Sequence, residues 1–275
     1  MKIKTSAMPG EPTNFNSGRP PLLATGRLYL GFLLLGAICL AVSLLAFPLW
    51  ALLPRAHSRR IGRKLVAASA GTYLRCLVMI GACRLDLAAL DALQGAPAMV
   101  IAPNHPSLLD AVLILSRLPG ANCIIKSDIA NSVVFGMLAR VTGYIRNTPL
   151  RSMVKSAVTE LRQGSHVLLF PEGTRTTRFP VGSLQGTGGL IAKKAGVQVQ
   201  TVFIETDSGF LGKGWAPLRT PRMPITYRIR LGRRFDAPAH TAHFVSELEQ
   251  YFQSELTRAA GSEFPAPGAA PGPSA

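Results

Sequence analysis

The sequence predicts an α/β fold, a mixed and mostly parallel sheet flanked by helices and preceded by an N-terminal membrane helix or helix pair. Three observations carry that prediction. Short apolar runs alternate with segments of helical spacing from Arg84 to Ala259, no internal repeat interrupts the alternation, and an uncharged stretch, Leu28 to Leu53, lies ahead of it. With 275 residues, 48% of them hydrophobic, the chain has enough apolar material for one core plus an apolar segment.

Residues 1–26, with Pro9, Pro12, Pro20 and Pro21 among Gly, Asn and Ser, read as a disordered arm. Residues 27–80 read as membrane-associated helix. Leu28 to Leu53 would extend about 39 Å as a helix, enough to cross a bilayer with tilt and too long for the apolar core of a signal peptide. Pro48 permits a kink and a re-entrant path instead, so spanning and monotopic insertion both stay open. Leu65 to Cys83, with Arg75 in its middle, reads as an amphipathic helix in the interface. Arg55, Arg59, Arg60, Arg63 and Lys64 outweigh Arg19 and Arg27 on the other flank, which puts the following domain on the cytoplasmic face, as of a bacterial inner membrane.

The α/β domain is expected over residues 81–260. Arg84 to Leu87 and Ala98 to Ala102 read as strands. Pro106 to Arg117 reads as a helix with proline in its first turn, and Cys123 to Lys126 as the next strand. A helix over Val133 to Val141, a short strand at Tyr144 and Ile145, and a helix over Pro149 to Gln163 follow, the last with Met153, Val154, Ala157, Val158 and Leu161 on one stripe. His166 to Phe170 is a strand, Leu190 to Ala195 a helix and Val197 to Ile204 a strand. Ile225 to Leu231 alternates as a half-exposed strand, and Thr241 to Ala259 closes the domain as a helix. The Pro, Gly and Ala tail, residues 261–275, is expected to be disordered.

Thirty Lys and Arg against 14 Asp and Glu leave a net charge of +16, which attracts phosphate in some form. Nucleic acid, anionic lipid, coenzyme A and an acidic carrier protein would all satisfy it, and the apolar segment favours the lipid. Cys39, Cys76, Cys83 and Cys123 lack CxxC spacing, and His240 with His243 has no acidic partner nearby, so no metal is assigned. The glycines at 182, 186, 188 and 189 form no nucleotide-binding signature. No nucleic-acid partner and no cofactor is expected.

Two segments carry chemistry. In NHPSLLD, Asn104 to Asp110, a turn at Pro106 lets the Asp110 carboxylate reach back to the His105 ring, fix its tautomer and support a positive charge on it. The other ring nitrogen can then take a proton from an alcohol. In FPEGTR, Arg175 offers a fork for phosphate, Gly173 allows close backbone approach, Thr174 is a short donor, and Glu172 can orient these groups or a substrate hydroxyl. Both segments follow apolar strands, where α/β proteins collect ligands.

Taken in this order, the two segments resemble those of the glycerolipid acyltransferase family, the lysophosphatidic acid acyltransferases among them, over roughly Gly81 to Phe235. The resemblance implies transfer of a fatty acyl group from coenzyme A or acyl carrier protein to a lysophospholipid hydroxyl, most simply 1-acylglycerol-3-phosphate. His105 would be the general base and Asp110 its partner. Asn104, Arg146, Glu172, Gly173, Thr174 and Arg175 would serve the acceptor, and membrane lipids would be the setting. Two departures stand out. Arg146 follows Ile145 directly in GYIRNT, and VQVQTVFI carries Gln198 and Gln200 where the family places proline. Both are expected on the acceptor side and open the reading to another lysolipid, such as an ornithine lipid or a polyene-type lipid. The rival from another class is a non-catalytic basic protein of membrane surfaces.

Overall fold

The computed structural model describes residues 22–132, 135–216 and 218–261. Helix α1 (Leu22–Leu52) and helix α2 (Arg55–Met79) form an antiparallel hairpin ahead of the sheet. The strands are β1 (Cys83–Asp86), β2 (Val100–Pro103), β3 (Asn122–Ile125), β4 (Ile145–Arg146), β5 (Val167–Leu168), β6 (Val199–Thr206) and β7 (Ile225–Phe235), in the spatial order β1-β7-β6-β2-β5-β3-β4. β2, β3, β4, β5 and β6 run parallel, whereas β7 is antiparallel to β6 and β1 is parallel to β7. The five parallel strands therefore end on one edge of the sheet, and the loops that carry His105 and the PEGTR turn both leave from that edge.

Each face of the sheet is covered. One face packs Tyr73, Leu74 and Leu77 of α2 and Leu113 and Ile114 of α3 (Asp110–Arg117) against Ile101, Leu168 and Tyr227. The other packs α6 (Leu150–Arg162), α7 (Thr187–Ala195) and α8 (Thr241–Gly261) against Val100, Val167, Phe203 and Phe235. The expected stripe of α6, Met153, Val154, Ala157, Val158 and Leu161, is buried throughout. Two short helices, α4 (Ser127–Asn131) and α5 (Gly136–Thr142), lie between β3 and β4; the expected helix over Val133 to Val141 is thus α5, and Val133 and Val134 lie outside the described residues.

Several expectations are corrected. α1 begins at Leu22, inside the segment read as a disordered arm, because its apolar side finds partners in α2 and α5; residues 1–21 and 262–275 lie outside the described residues. α2 starts at Arg55 rather than Leu65, so the basic flank is helical. It also does more than lie in an interface, since Ser58, Gly62, Arg63, Ala67, Tyr73, Leu74 and Leu77 are buried against the domain. The core consequently draws on residues before position 81. α3 starts at Asp110, four residues later than its proline suggested, because residues 106–109 make a turn closed by their own polar groups. A 3-10 turn over Ala88–Leu93, which buries Leu90 and Leu93, carries no periodic signal and was not expected.

Candidate active site

His105 leaves the end of β2, and its Nδ1 lies 2.7 Å from Oδ2 of Asp110. The same oxygen accepts the Ser107 amide at 2.8 Å, so the turn and the carboxylate define each other. Asp110 is fully buried, and its Oδ1 has no partner among the described residues. Burial pushes its carboxyl up to about 6, against the hydrogen bond and charge of His105 and the Ser107 amide. An ionised carboxylate only accepts, so Nδ1 is the ring nitrogen that donates to it, and in the neutral tautomer this selects, the lone pair is on Nε2. Phe170, the last residue before the PEGTR turn, stacks on the imidazole with centroids 3.9 Å apart and planes 21° from parallel. The ring is thus gripped on one face and at one nitrogen, which leaves Nε2 for chemistry.

The PEGTR turn is stitched to the same loop. Its Thr176 amide donates to the His105 carbonyl at 2.8 Å. Glu172 is buried and spends both oxygens on the chain: Oε1 accepts the His105 amide at 3.2 Å and the Thr176 hydroxyl at 2.7 Å, and Oε2 accepts the Gly182 amide at 2.9 Å. Of the two roles open to it, the geometry shows the organiser of neighbouring groups. Gly173 has φ +67°, and a Cβ there would collide with the Gln185 amide, so glycine is required for the turn itself. Thr174 sits half-buried on the same turn.

Arg175 differs from expectation. Its Nη1 donates to the carbonyls of Leu211 at 2.8 Å and Gly212 at 3.0 Å, bracing the long loop between β6 and β7. Leu211 has φ +56°, a left-handed conformation that a branched side chain resists, and its carbonyl also accepts the Leu108 amide at 3.1 Å. The brace therefore holds a strained turn against the His105 loop. The Nε and Nη2 edge of the guanidinium has no hydrogen-bond partner among the described residues and keeps a two-pronged donor face.

Two other expected site residues lie apart from this cluster or are held by the fold. Asn104 is buried with both ends of its amide engaged, Nδ2 to the Ile204 carbonyl at 3.0 Å and Oδ1 to the Ile204 amide at 2.7 Å, so it joins β2 to β6. Arg146 is exposed at the end of β4, three strands from β2, about 14 Å across the sheet at about 4.8 Å per strand. It shares the edge but not the cluster. The glutamine departures also miss the acceptor side. Gln200 bonds Gly232 and Arg234 of β7 at the irregular register near Val202, and Gln198 bonds Asp236, all toward the opposite edge.

Sequence reasoning passed over three contributors. Phe170 reads in the sequence as a strand end and the start of a motif, with no sign that its ring lies against His105. Ser107, to which the sequence assigned no role, donates its hydroxyl to the Phe210 carbonyl and lies 3.3 Å from the Tyr227 hydroxyl. The β6–β7 loop carried one usable signal, Gly209, Gly212 and Gly214 around the left-handed Leu211; a Cβ on Gly212 would press on the carbonyls of Gly209 and Pro106.

Comparison with known proteins bears on this geometry. The family model described as Acyltransferase matches residues 84–205, the span from β1 to β6 that holds both loops. Residues 84–205 are thus similar to an acyltransferase-family domain. Over 109 residues, 36% of the chain, it is 33% identical to a lyso-ornithine lipid O-acyltransferase of Rhodobacter capsulatus, and that match spans 39% of the relative's length. Over 178 residues it is 22% identical to the 1-acyl-sn-glycerol-3-phosphate acyltransferase of Pseudomonas aeruginosa, covering 62% of this chain and 67% of that one. The crystal structure of the 1-acyl-sn-glycerophosphate acyltransferase from Thermotoga maritima shares the fold, with a TM-score of 0.67 at 19% identity over 88% of this chain and 97% of that one.

Proposed function

We propose that this acyltransferase-family protein moves a fatty acyl group from a thioester, coenzyme A or acyl carrier protein, to the free hydroxyl of a lysophospholipid. The acceptor most consistent with the site is 1-acylglycerol-3-phosphate, which would yield phosphatidic acid. The observation that carries the reading is the His105 ring, held by Asp110 at Nδ1 and by Phe170 on its face so that Nε2 is the one free base in the cluster. Nε2 takes the hydroxyl proton as the oxygen attacks the thioester carbonyl, and Asp110 stabilises the resulting imidazolium. Collapse of the tetrahedral adduct expels the thiolate, which recovers the proton from the ring. The free edge of Arg175 and the donors of the PEGTR turn would receive the acceptor's phosphate.

A lyso-ornithine lipid acceptor is a second reading, favoured by the similarity to the R. capsulatus protein. Membrane association belongs to the same proposal. Among the described residues α1 is the one helix long and apolar enough to cross a bilayer. It buries Ala24, Leu28, Gly31, Cys39, Val42 and Ala46 along the protein while Leu33, Leu40, Leu44 and Phe47 stay exposed, which suits a hairpin lying in one leaflet with the domain on the cytoplasmic side. The deciding experiment offers purified protein both lysolipids with labelled acyl thioester. Transfer to one of them, lost by at least a hundredfold in His105→Ala, is expected; undiminished transfer in that variant would remove the proposed base.

A further inference from the structure

On the edge where the parallel strands begin, opposite the His105 loop, a cleft of about 790 Å³ opens between the first turns of α2 and the turns that precede β2, β3 and β5. Its volume is in the range of small-ligand sites. One wall carries Arg59, Arg60, Arg63 and Lys64, and Glu160 is the single carboxylate among the lining residues. That carboxylate is already spent, because Arg63 holds both of its oxygens, at 2.8 and 2.9 Å, while Arg63 Nε donates to the Thr142 carbonyl. His166 adds no charge, since its Nδ1 accepts the Met99 amide and its Nε2 donates to the Leu93 carbonyl. Arg60 and Lys64 thus have no lining carboxylate left to answer them, and Arg59 shares only the field of the carboxylate that Arg63 already holds.

The wall is also shaped. Gly143 ends α5 in the left-handed conformation, and the stem of Arg59 occupies the space a Cβ there would fill. The buried pair of Arg63 with Glu160 fixes α2 to α6, so the two walls of the cleft keep their spacing. Exposed Phe47, Trp50 and Leu52 at the end of α1 lead straight into this basic turn.

We infer that the cleft at the strand-start edge, bounded by Arg59, Arg60 and Lys64, is a second anion site that takes a phosphate group, separate from the acceptor site at the other edge. A lipid head group and a soluble phosphate share that chemistry. The position beside the apolar end of α1 suits the head group, and the cleft does not require it.

The test uses the full chain in neutral detergent micelles and measures calorimetric binding of two probes, dihexanoyl phosphatidylglycerol and inorganic pyrophosphate. The variants are the triple change Arg59→Gln, Arg60→Gln, Lys64→Gln, which spares the buried pair, and Gly120→Trp, which fills the cleft without touching charge, since a side chain there meets open space. A control triple, Arg84→Gln, Lys155→Gln, Arg258→Gln, removes equal charge from exposed positions elsewhere. The expected result is at least tenfold weaker binding of one or both probes in the two cleft variants and less than twofold in the control. Loss of the lipid probe alone identifies a head-group site, and loss of pyrophosphate alone a soluble-phosphate site. Equal losses in both triples would reduce the effect to diffuse charge, and no binding by the unaltered chain would remove the site. His105→Ala should bind as the unaltered chain does, so absence of acyl transfer and absence of this site are separately visible.

Discussion

At the residue scale the proposed His105 and Asp110 pair would couple acyl transfer to pH. Because burial raises the Asp110 carboxyl to about 6, acyl transfer should decline as pH falls through that value, as the protonated acid can no longer support an imidazolium. Stability has the opposite sign. An acid whose folded pKa lies above its unfolded one favours the folded state when protonated, and that contribution is lost as pH rises from about 4 to about 6. Asp110→Asn keeps an oxygen for the Ser107 amide and removes the buried charge. Its stability relative to the unaltered chain should improve across that window while transfer falls by about a hundredfold or more, measured by denaturant titrations at several pH values beside activity. A relative stability independent of pH would place the buried charge elsewhere. Arg175 also acts at this scale: Arg175→Ala should raise the KM for acceptor and, by releasing Leu211 and Gly212, speed proteolytic cleavage of the β6–β7 loop. Loss of acceptor binding with an unchanged cleavage rate would leave it as a ligand group alone.

At the scale of elements, buried polar pairs lock one secondary structure to another. Asn104 ties the end of β2 to β6 through two hydrogen bonds to Ile204, and Asn104→Ala leaves that amide and carbonyl buried. A cost of about 1–3 kcal/mol in urea unfolding is expected. Arg63 and Glu160 join α2 to α6, both nearly inaccessible, and Arg63→Ala leaves a largely buried carboxylate at the cleft wall without its partner. That variant should lose about 3–5 kcal/mol, whereas an effect under about 1 kcal/mol would mean Glu160 reaches water without its partner. Local patterning showed many of these elements: the α6 stripe, the alternation of β7 at Ile225, Tyr227 and Ile229, and the α8 positions Phe244, Leu248 and Phe252 are periodic and buried. The start of α3 was not legible, because Pro106 suits a first helical turn in isolation and only the bonds of Asp110 to His105 and Ser107 delay the helix.

At the scale of the whole molecule, the α1–α2 hairpin places a largely apolar surface along one side of an α/β domain whose candidate site lies at a single sheet edge. Replacing Leu33, Leu40 and Leu44, exposed by 69%, 63% and 66%, with Gln should reduce sedimentation with phospholipid vesicles several-fold. The thermal midpoint should change little, since those side chains are not in the core; unchanged sedimentation would separate membrane association from α1.

By itself the sequence determined the fold class, the apolar helix and the two loops that form the candidate site, because hydrophobic period and short motifs are local properties that neighbouring residues express unaided. Only the tertiary structure decided what those groups face. Asn104 and Glu172 look like ligands in a motif, and in the fold their polar atoms bond Ile204, His105, Thr176 and Gly182. Phe170 becomes the platform for a ring distant in sequence, and α2 turns inward to build the core. A buried polar atom must find its partner wherever the chain brings one, and that choice depends on contacts between residues far apart along it.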